Sequence, residues 1–421
     1  MEKQVFESNI GFSYKKAILD SGLTVYVMEK QGNSNYAIFG TRYGSIDMVF
    51  ESNGERTELP DGIAHYLEHK LFESEEGDAF SLYAKTGASA NAYTSFDRTC
   101  YLFSCANNFY QNFEILLNLV GTPYFTEQTV QKEQGIIGQE IRMYDDSPSW
   151  RVLFNMLENM YHNHPVKTDI AGTVESIAKI DYKLLYKCYE TFYDPSNMFI
   201  CVSGDVDAEK IFSMVESKVP AGKRAEVKVI DPQEPNGIIN SYVEQKLEVL
   251  VPMFCLGFKQ NITEPFVSLK TKICVSLLLE MLVGDSSPLY AKLLKSGLIN
   301  DDFECEYFTG RNYAAVLFEG ESYDPVRVEQ EIKEEIERLK AEGLDKKLFS
   351  AVKCGLYGDA VRRFDSVESI VSGFTECAMN KTELFDEIKL LKSVTADDVY
   401  RHLDIFCADN SVLSVIKPLK E

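Results

Sequence analysis

Five histidines occur in this 421-residue chain, and two of them stand four residues apart with a glutamate between, in His65-Tyr66-Leu67-Glu68-His69. On a helix, about 100° per residue places His65 and His69 on one side, one turn apart, with Glu68 beside them. Two imidazoles in that relation can share a single tetrahedral Zn²⁺ at about 2.0–2.1 Å. Glu68 then lies close to the ion but is better placed to handle a bound water than to ligate. The competing reading is a pair of surface histidines on a solvated helix face. The intervening glutamate and the apolar residues behind the pair argue against it.

A structural zinc site is closed by four side chains and is usually rich in cysteine. None of the ten cysteines forms a C-x-x-C pair, and none lies near the motif. The chemistry indicated is therefore a site with an open position for water. Such a site needs a third protein ligand, a carboxylate or another histidine. Glu140 is the preferred candidate; His162 and His164, in Tyr161-His162-Asn163-His164-Pro165, are plausible on chemistry alone.

These residues need elements to hold them. Pro60 to Phe72 reads as an amphipathic helix, with Pro60 and Asp61 at its start. Ile63, Leu67 and Leu71 form its core-facing stripe, and the histidines lie roughly opposite. Thr126 to Met143 reads as a second helix, in which Glu133 and Glu140 are two turns apart and share a face. That face could equally be a solvated acidic one, and composition leaves the two readings open.

Three segments, Gly62 to His69, Gly87 to Thr94 and Glu133 to Glu140, resemble the pitrilysin/insulinase family of zinc peptidases, whose signature is H-x-x-E-H. The resemblance implies that His65, His69 and Glu140 bind one Zn²⁺ per chain. It implies that Glu68 is the general base, with Glu133 supporting the catalytic constellation as a carboxylate behind the ligands. It gives the His162–His164 stretch a loop role. It also implies that Asn91, Ala92, Tyr93 and Thr94 belong to an edge strand that pairs with the backbone of a peptide substrate. Ala88, Ala90 and Ala92 leave room above such a strand, which could also be an ordinary member of a sheet.

One departure stands out. In the family's second half an Arg and a Tyr reach the active site to hold substrate and stabilise the oxyanion. Here Leu294 and Asn300 occupy the matching positions. Leucine has no donor, and asparagine is short and lacks the phenol. Losing an oxyanion donor costs about 10²–10³ in rate. Lys292 and Lys295 are nearby cations, but a flexible point charge is a poor replacement for guanidinium. The expectation is a heterodimer in which a homologous subunit supplies the Arg and Tyr.

A length of 421 residues points to about two to three domains. A weak internal repeat supports two. Ile177, Ile180, Leu185, Tyr186, Lys187 and Phe192 correspond to Leu391, Val394, Val399, Tyr400, Arg401 and Phe406 at one offset, 391 − 177 = 214. Each stretch is followed by an Asn and an apolar strand, from Asn197 and from Asn410. The expected division is a zinc-binding domain over 1–225, a linker over 226–240 and a homologous domain without a zinc site over 241–421. Strands such as Leu23 to Met28 and Tyr36 to Gly40, followed by long helices such as Val326 to Gly343, predict an α+β fold. Each domain is expected to be an antiparallel-rich sheet packed with helices, and the resemblance adds an enclosed chamber.

A net charge of −22 disfavours nucleic acid and anionic membranes as partners. No apolar run of about 18 residues and no N-terminal h-region appear. Cys201, Cys255 and Cys274 lie in apolar runs, as reduced core thiols do. The expected compartment is the cytoplasm. The reading that follows is a zinc endopeptidase acting on peptides or unfolded segments. Its competitors are a non-catalytic structural subunit and a peptide-binding module in which zinc is purely structural.

Overall fold

The computed structural model describes residues 1–74, 77–219 and 227–419. Two sheets organise it. The first contains β1 (Glu2–Glu7), β2 (Ser13–Ile18), β3 (Thr24–Glu29), β4 (Asn35–Thr41), β5 (Ser89–Thr94), β6 (Thr99–Cys105) and β7 (Met198–Gly204) in the order β1-β2-β3-β7-β4-β6-β5. The strand β7 is buried along its whole length and reads Met-Phe-Ile-Cys-Val-Ser-Gly, the near-continuous apolar run that a strand covered on both faces requires. It runs parallel to β3 and antiparallel to β4.

The second sheet contains β8 (Tyr242–Leu247), β9 (Met253–Lys259), β10 (Glu304–Gly310), β11 (Tyr313–Glu321) and β12 (Ser411–Pro418) in the order β8-β12-β9-β11-β10. Here β12 is parallel to β8 and antiparallel to β9, and β11 is antiparallel to β9 and to β10. This is the pairing scheme of β3, β7, β4, β6 and β5, repeated strand for strand. The repeat seen in sequence falls on equivalent core positions: Ile177, Ile180, Leu185 and Phe192 are buried, as are Leu391, Val394, Val399 and Phe406. The fold is α+β, built twice.

The helices needed below are α1 (Ile63–Leu71), α2 (Glu127–Asp145), α3 (Pro148–Met160), α4 (Leu269–Val283), α5 (Pro288–Lys295), α6 (Pro325–Glu342) and α7 (Val367–Asn380). Among the described residues no single helix is long and apolar enough to cross a membrane. The apolar α4 is a core helix, with Ile273, Val275, Leu278 and Leu282 buried.

The compact units do not follow the continuous division expected from sequence. One comprises 1–141, 169–230 and 362–385; the other comprises 142–168, 231–361 and 386–421. Each unit takes one helix from the other half of the chain. In the first unit α7 covers β7 and β4; in the second α3 covers β12 and β9, the equivalent strands. The cause is local packing. Phe374 of α7 lies 4.9 Å from the ring of Tyr14 and 5.4 Å from that of Tyr26, and Arg42 donates to the Ala378 carbonyl at 3.0 Å. Against α3, a side chain at Gly257 would come within 2.5 Å of Met160, so the strand must present bare backbone there. Of the stretch read as linker, residue 226 lies outside the described residues, as do 220–225 at the end of the expected first domain.

Candidate metal centre

The helix α1 begins later than Pro60. Gly62, at φ +86°, turns the chain into it, and Pro60 and Asp61 lie ahead of the first turn. A Cβ on Gly62 would sit 2.3 Å from the Ala171 carbonyl oxygen, so only glycine fits the backbone conformation and the space together. Ser176 Oγ donates to the Asp61 carbonyl at 2.9 Å and fixes the same corner. Ile63, Leu67 and Leu71 face the core as expected. The opposite side is not a solvated face, however: Ala64, His65, Tyr66, Glu68 and Lys70 are buried too.

Burial on that side comes from α2. Tyr66 donates its hydroxyl to the Val130 carbonyl, and Lys70 reaches the Thr129 carbonyl at 3.3 Å. These contacts align α1 with α2 so that Glu140 faces both histidines. Its carboxylate lies 3.6 Å from His65 Nε2 and 3.3 Å from His69 Nε2. One ligand atom from each of His65, His69 and Glu140 falls within 4.8 Å of the others. Glu133, two turns earlier, accepts from His69 Nδ1 at 3.2 Å. The structure thus brings together all five residues singled out for the centre and its support.

The donor set suits a divalent cation. Two imidazole nitrogens and one carboxylate form a common catalytic zinc set with a fourth position open. The electrostatics agree. Burial, and then the neighbouring His69, push His65 down to about 4, which keeps it a neutral lone-pair donor. At His69 burial opposes charge, but hydrogen bonds to Glu133 and Glu140 and the nearby Glu68 outweigh it and raise the imidazole to about 10. The carboxylates around His69 make this pocket favourable to positive charge.

Glu68 is buried at 8 % exposure and accepts from Thr94 Oγ1 at 2.9 Å. Burial raises its carboxyl above the usual range, ahead of the lowering effects of His69 and Thr94. Thr94 ends β5, the last strand in the sheet order. Of the four residues assigned to substrate, Asn91, Ala92 and Tyr93 lie along this edge strand. Asn91 and Tyr93 are exposed and Ala92 is half-buried; Asn91 Oδ1 accepts from the Ala92 N–H at 2.9 Å. Thr94 is the one joined to Glu68 by a hydrogen bond. Sequence reasoning missed that link, and it missed Tyr66 and Lys70; the one signal available was a lysine where the pattern calls for a buried residue.

The other two histidines with ligand chemistry serve a loop in the second unit. The Nδ1 of His164 accepts from the Val166 N–H at 3.1 Å, and its Nε2–H donates to the Arg311 carbonyl at 3.0 Å. The backbone N–H groups of His162, Asn163 and His164 all donate to Glu234. Leu294 on α5 is 38 % exposed, and Asn300 donates to Glu321 at 3.0 Å. Lys292 is held by Glu331 of α6. No second cluster with metal-ligand spacing occurs among the described residues.

Residues 45–174 match the family described as Insulinase (Peptidase family M16), and residues 179–356 match the Peptidase M16 inactive domain. The chain belongs to the insulinase family. It is 43% identical over 395 residues to the uncharacterized zinc protease YmfH of Bacillus subtilis (strain 168), covering 90% of this chain and 91% of that protein. The crystal structure of an M16-like peptidase from Alicyclobacillus acidocaldarius superposes with a TM-score of 0.93 at 32% identity, covering 98% of this chain and 99% of that one. Pitrilysin shares the fold, with a TM-score of 0.75 at 17% identity; the match spans 99% of this chain and 46% of pitrilysin. The metal-ligand cluster lies wholly within the insulinase match. The inactive-domain match contains none of the three clustered residues.

Proposed function

We propose that this insulinase-family chain is a zinc-dependent endopeptidase that hydrolyses peptides or unfolded protein segments inside an enclosed chamber. The observation that carries the reading is the convergence of His65, His69 and Glu140 beside the buried carboxylate of Glu68. A bound Zn²⁺ would supply a Lewis acid for the scissile carbonyl and acidify the attacking water toward a pKa of about 7. The chain's own groups do the rest. Glu68, held on one oxygen by Thr94, takes the water's proton on the other and passes it to the leaving amine. Glu133 engages the Nδ1 of His69 and leaves its Nε2 on the side of Glu140, where it would hold the cation. The free edge of β5 offers backbone donors and acceptors to an extended peptide, which recognises main chain more than side chains.

The same reading makes the chain the catalytic member of a heterodimer. Leu294 offers no hydrogen-bond donor, Asn300 is engaged by Glu321, and Lys292 is engaged by Glu331. A homologous subunit bearing the Arg and Tyr would complete the oxyanion site. A cytoplasmic setting fits ten free cysteines, most of them buried. The test is hydrolysis of an unstructured peptide by the zinc-loaded chain, alone and with a homologous subunit. Turnover should rise about 10²–10³-fold on adding the partner. Absence of bound zinc, or no hydrolysis in either arm, would leave a non-catalytic subunit of the same fold.

A further inference from the structure

Lys70 is a fully buried lysine at the last turn of α1, and nothing in the proposed chemistry uses it. A buried ammonium is unfavourable unless its charge has work to do. Its Nζ contacts three acceptors: Glu73 Oε2, the Thr129 carbonyl at 3.3 Å, and Glu133 Oε2 at 4.0 Å. The other oxygen of Glu133 faces His69 Nδ1 at 3.2 Å. The Glu133 carboxylate therefore has one oxygen hydrogen-bonded to His69 and the other at ion-pair distance from the Lys70 ammonium. The nearby positive charge favours this orientation of the carboxylate over one turned away from the imidazole. Since Thr129 and Glu133 lie one turn apart on α2, the same ammonium also fixes the spacing between α1 and α2 where the ligands meet.

We infer that Lys70 is a positioning residue of the metal centre: it orients the Glu133 carboxylate, which in turn aims the His69 ring at the ion. This rests on the zinc-peptidase reading above, but its test reads metal affinity rather than turnover. The experiment is competition with a chromophoric chelator for zinc on the full chain, comparing the parent, K70M, E133Q and the double variant K70M/E133Q. Loss of an outer carboxylate partner typically weakens metal binding about 10–100-fold, so K70M and E133Q should each lose affinity in that range. Because Lys70 acts through Glu133, the double variant should bind no more weakly than E133Q alone.

Zinc affinity of K70M equal to the parent's would overturn the inference while leaving the peptidase reading intact. Additive losses in the double variant would overturn the route through Glu133. A parent chain without zinc affinity would defeat both. If K70M does not fold, K70Q, which can still donate to the Thr129 carbonyl, takes its place. Failure of metal-free K70Q to fold would assign Lys70 to the scaffold and count against the proposal.

Discussion

Replacing Glu68 with glutamine perturbs the proposed centre more narrowly than any other change, because shape and volume are kept and only the basic oxygen is removed. Thr94 Oγ1 can donate to the amide oxygen as it does to the carboxylate at 2.9 Å, so the strand-to-helix link should survive. Glu68 is not among the converging ligand atoms, so the variant should retain about one zinc per chain. The rate is another matter. A positioned general base contributes about 10²–10⁴-fold, equivalent to about 2.7–5.4 kcal/mol at 1.36 kcal/mol per decade. Stability should move the other way, if at all. Burial raises the Glu68 carboxyl, so folding disfavours its charge, and a neutral amide avoids that cost. The assay is peptide turnover by zinc-loaded E68Q with its homologous subunit present, alongside metal content and a thermal melt of the zinc-free protein. The expected result is a fall in kcat within that range, KM little changed, zinc retained and no earlier melting. Turnover within about tenfold of the parent would refute Glu68 as the base, and zinc loss would refute the ligand assignment.

Two further changes test the scaffold. Gly62→Ala places a Cβ 2.3 Å from the Ala171 carbonyl oxygen at φ +86°. The left-handed backbone costs about 1–2 kcal/mol and overpacking about 1–3 more, so the thermal transition should move earlier; a shift below about 0.5 kcal/mol would show that the corner is not tight. Glu234 accepts from three backbone N–H groups at 2.7–2.8 Å and from Lys259 at 2.7 Å. Burial opposes ionisation there, but Lys259 and the N–H groups prevail and hold the carboxyl below its usual range. A lowered folded-state value means that the stabilisation is present above about pH 4.5 and is lost as pH falls through the folded value. E234Q should therefore flatten the acid limb of a melting-against-pH curve. At pH 7 it should destabilise by roughly 3 kcal/mol, the low end for a broken buried pair, because Lys259 keeps the carbonyls of Pro235 and Gly237. An unchanged acid limb would remove Glu234 from that role.

The legible part of the site was the part written in short-range spacing. A spacing of four from His65 to His69, and of seven from Glu133 to Glu140, puts side chains on common helix faces whatever surrounds them. Apolar stripes located α1 and the strands for the same reason. Other features had no such signature. The late start of α1 depends on a carbonyl 109 positions away, since 171 − 62 = 109. The Thr94 hydroxyl finds Glu68 because β5 is the edge of a sheet completed by β7 from residues 198–204.

The sequence by itself determined the candidate ligand types, their pairing on two helices, the mixed α+β character and the presence of two related halves. Tertiary structure decided which carboxylates meet which imidazole ring, that Lys70 is buried against them, and that α3 and α7 each cover a sheet built mainly from the other half of the chain. The reason is physical. Helical and strand periodicity is set by neighbouring residues, whereas an apolar helix face accepts any sheet that excludes water from it. The choice of partner is made by shape and by buried polar contacts between residues far apart in the chain.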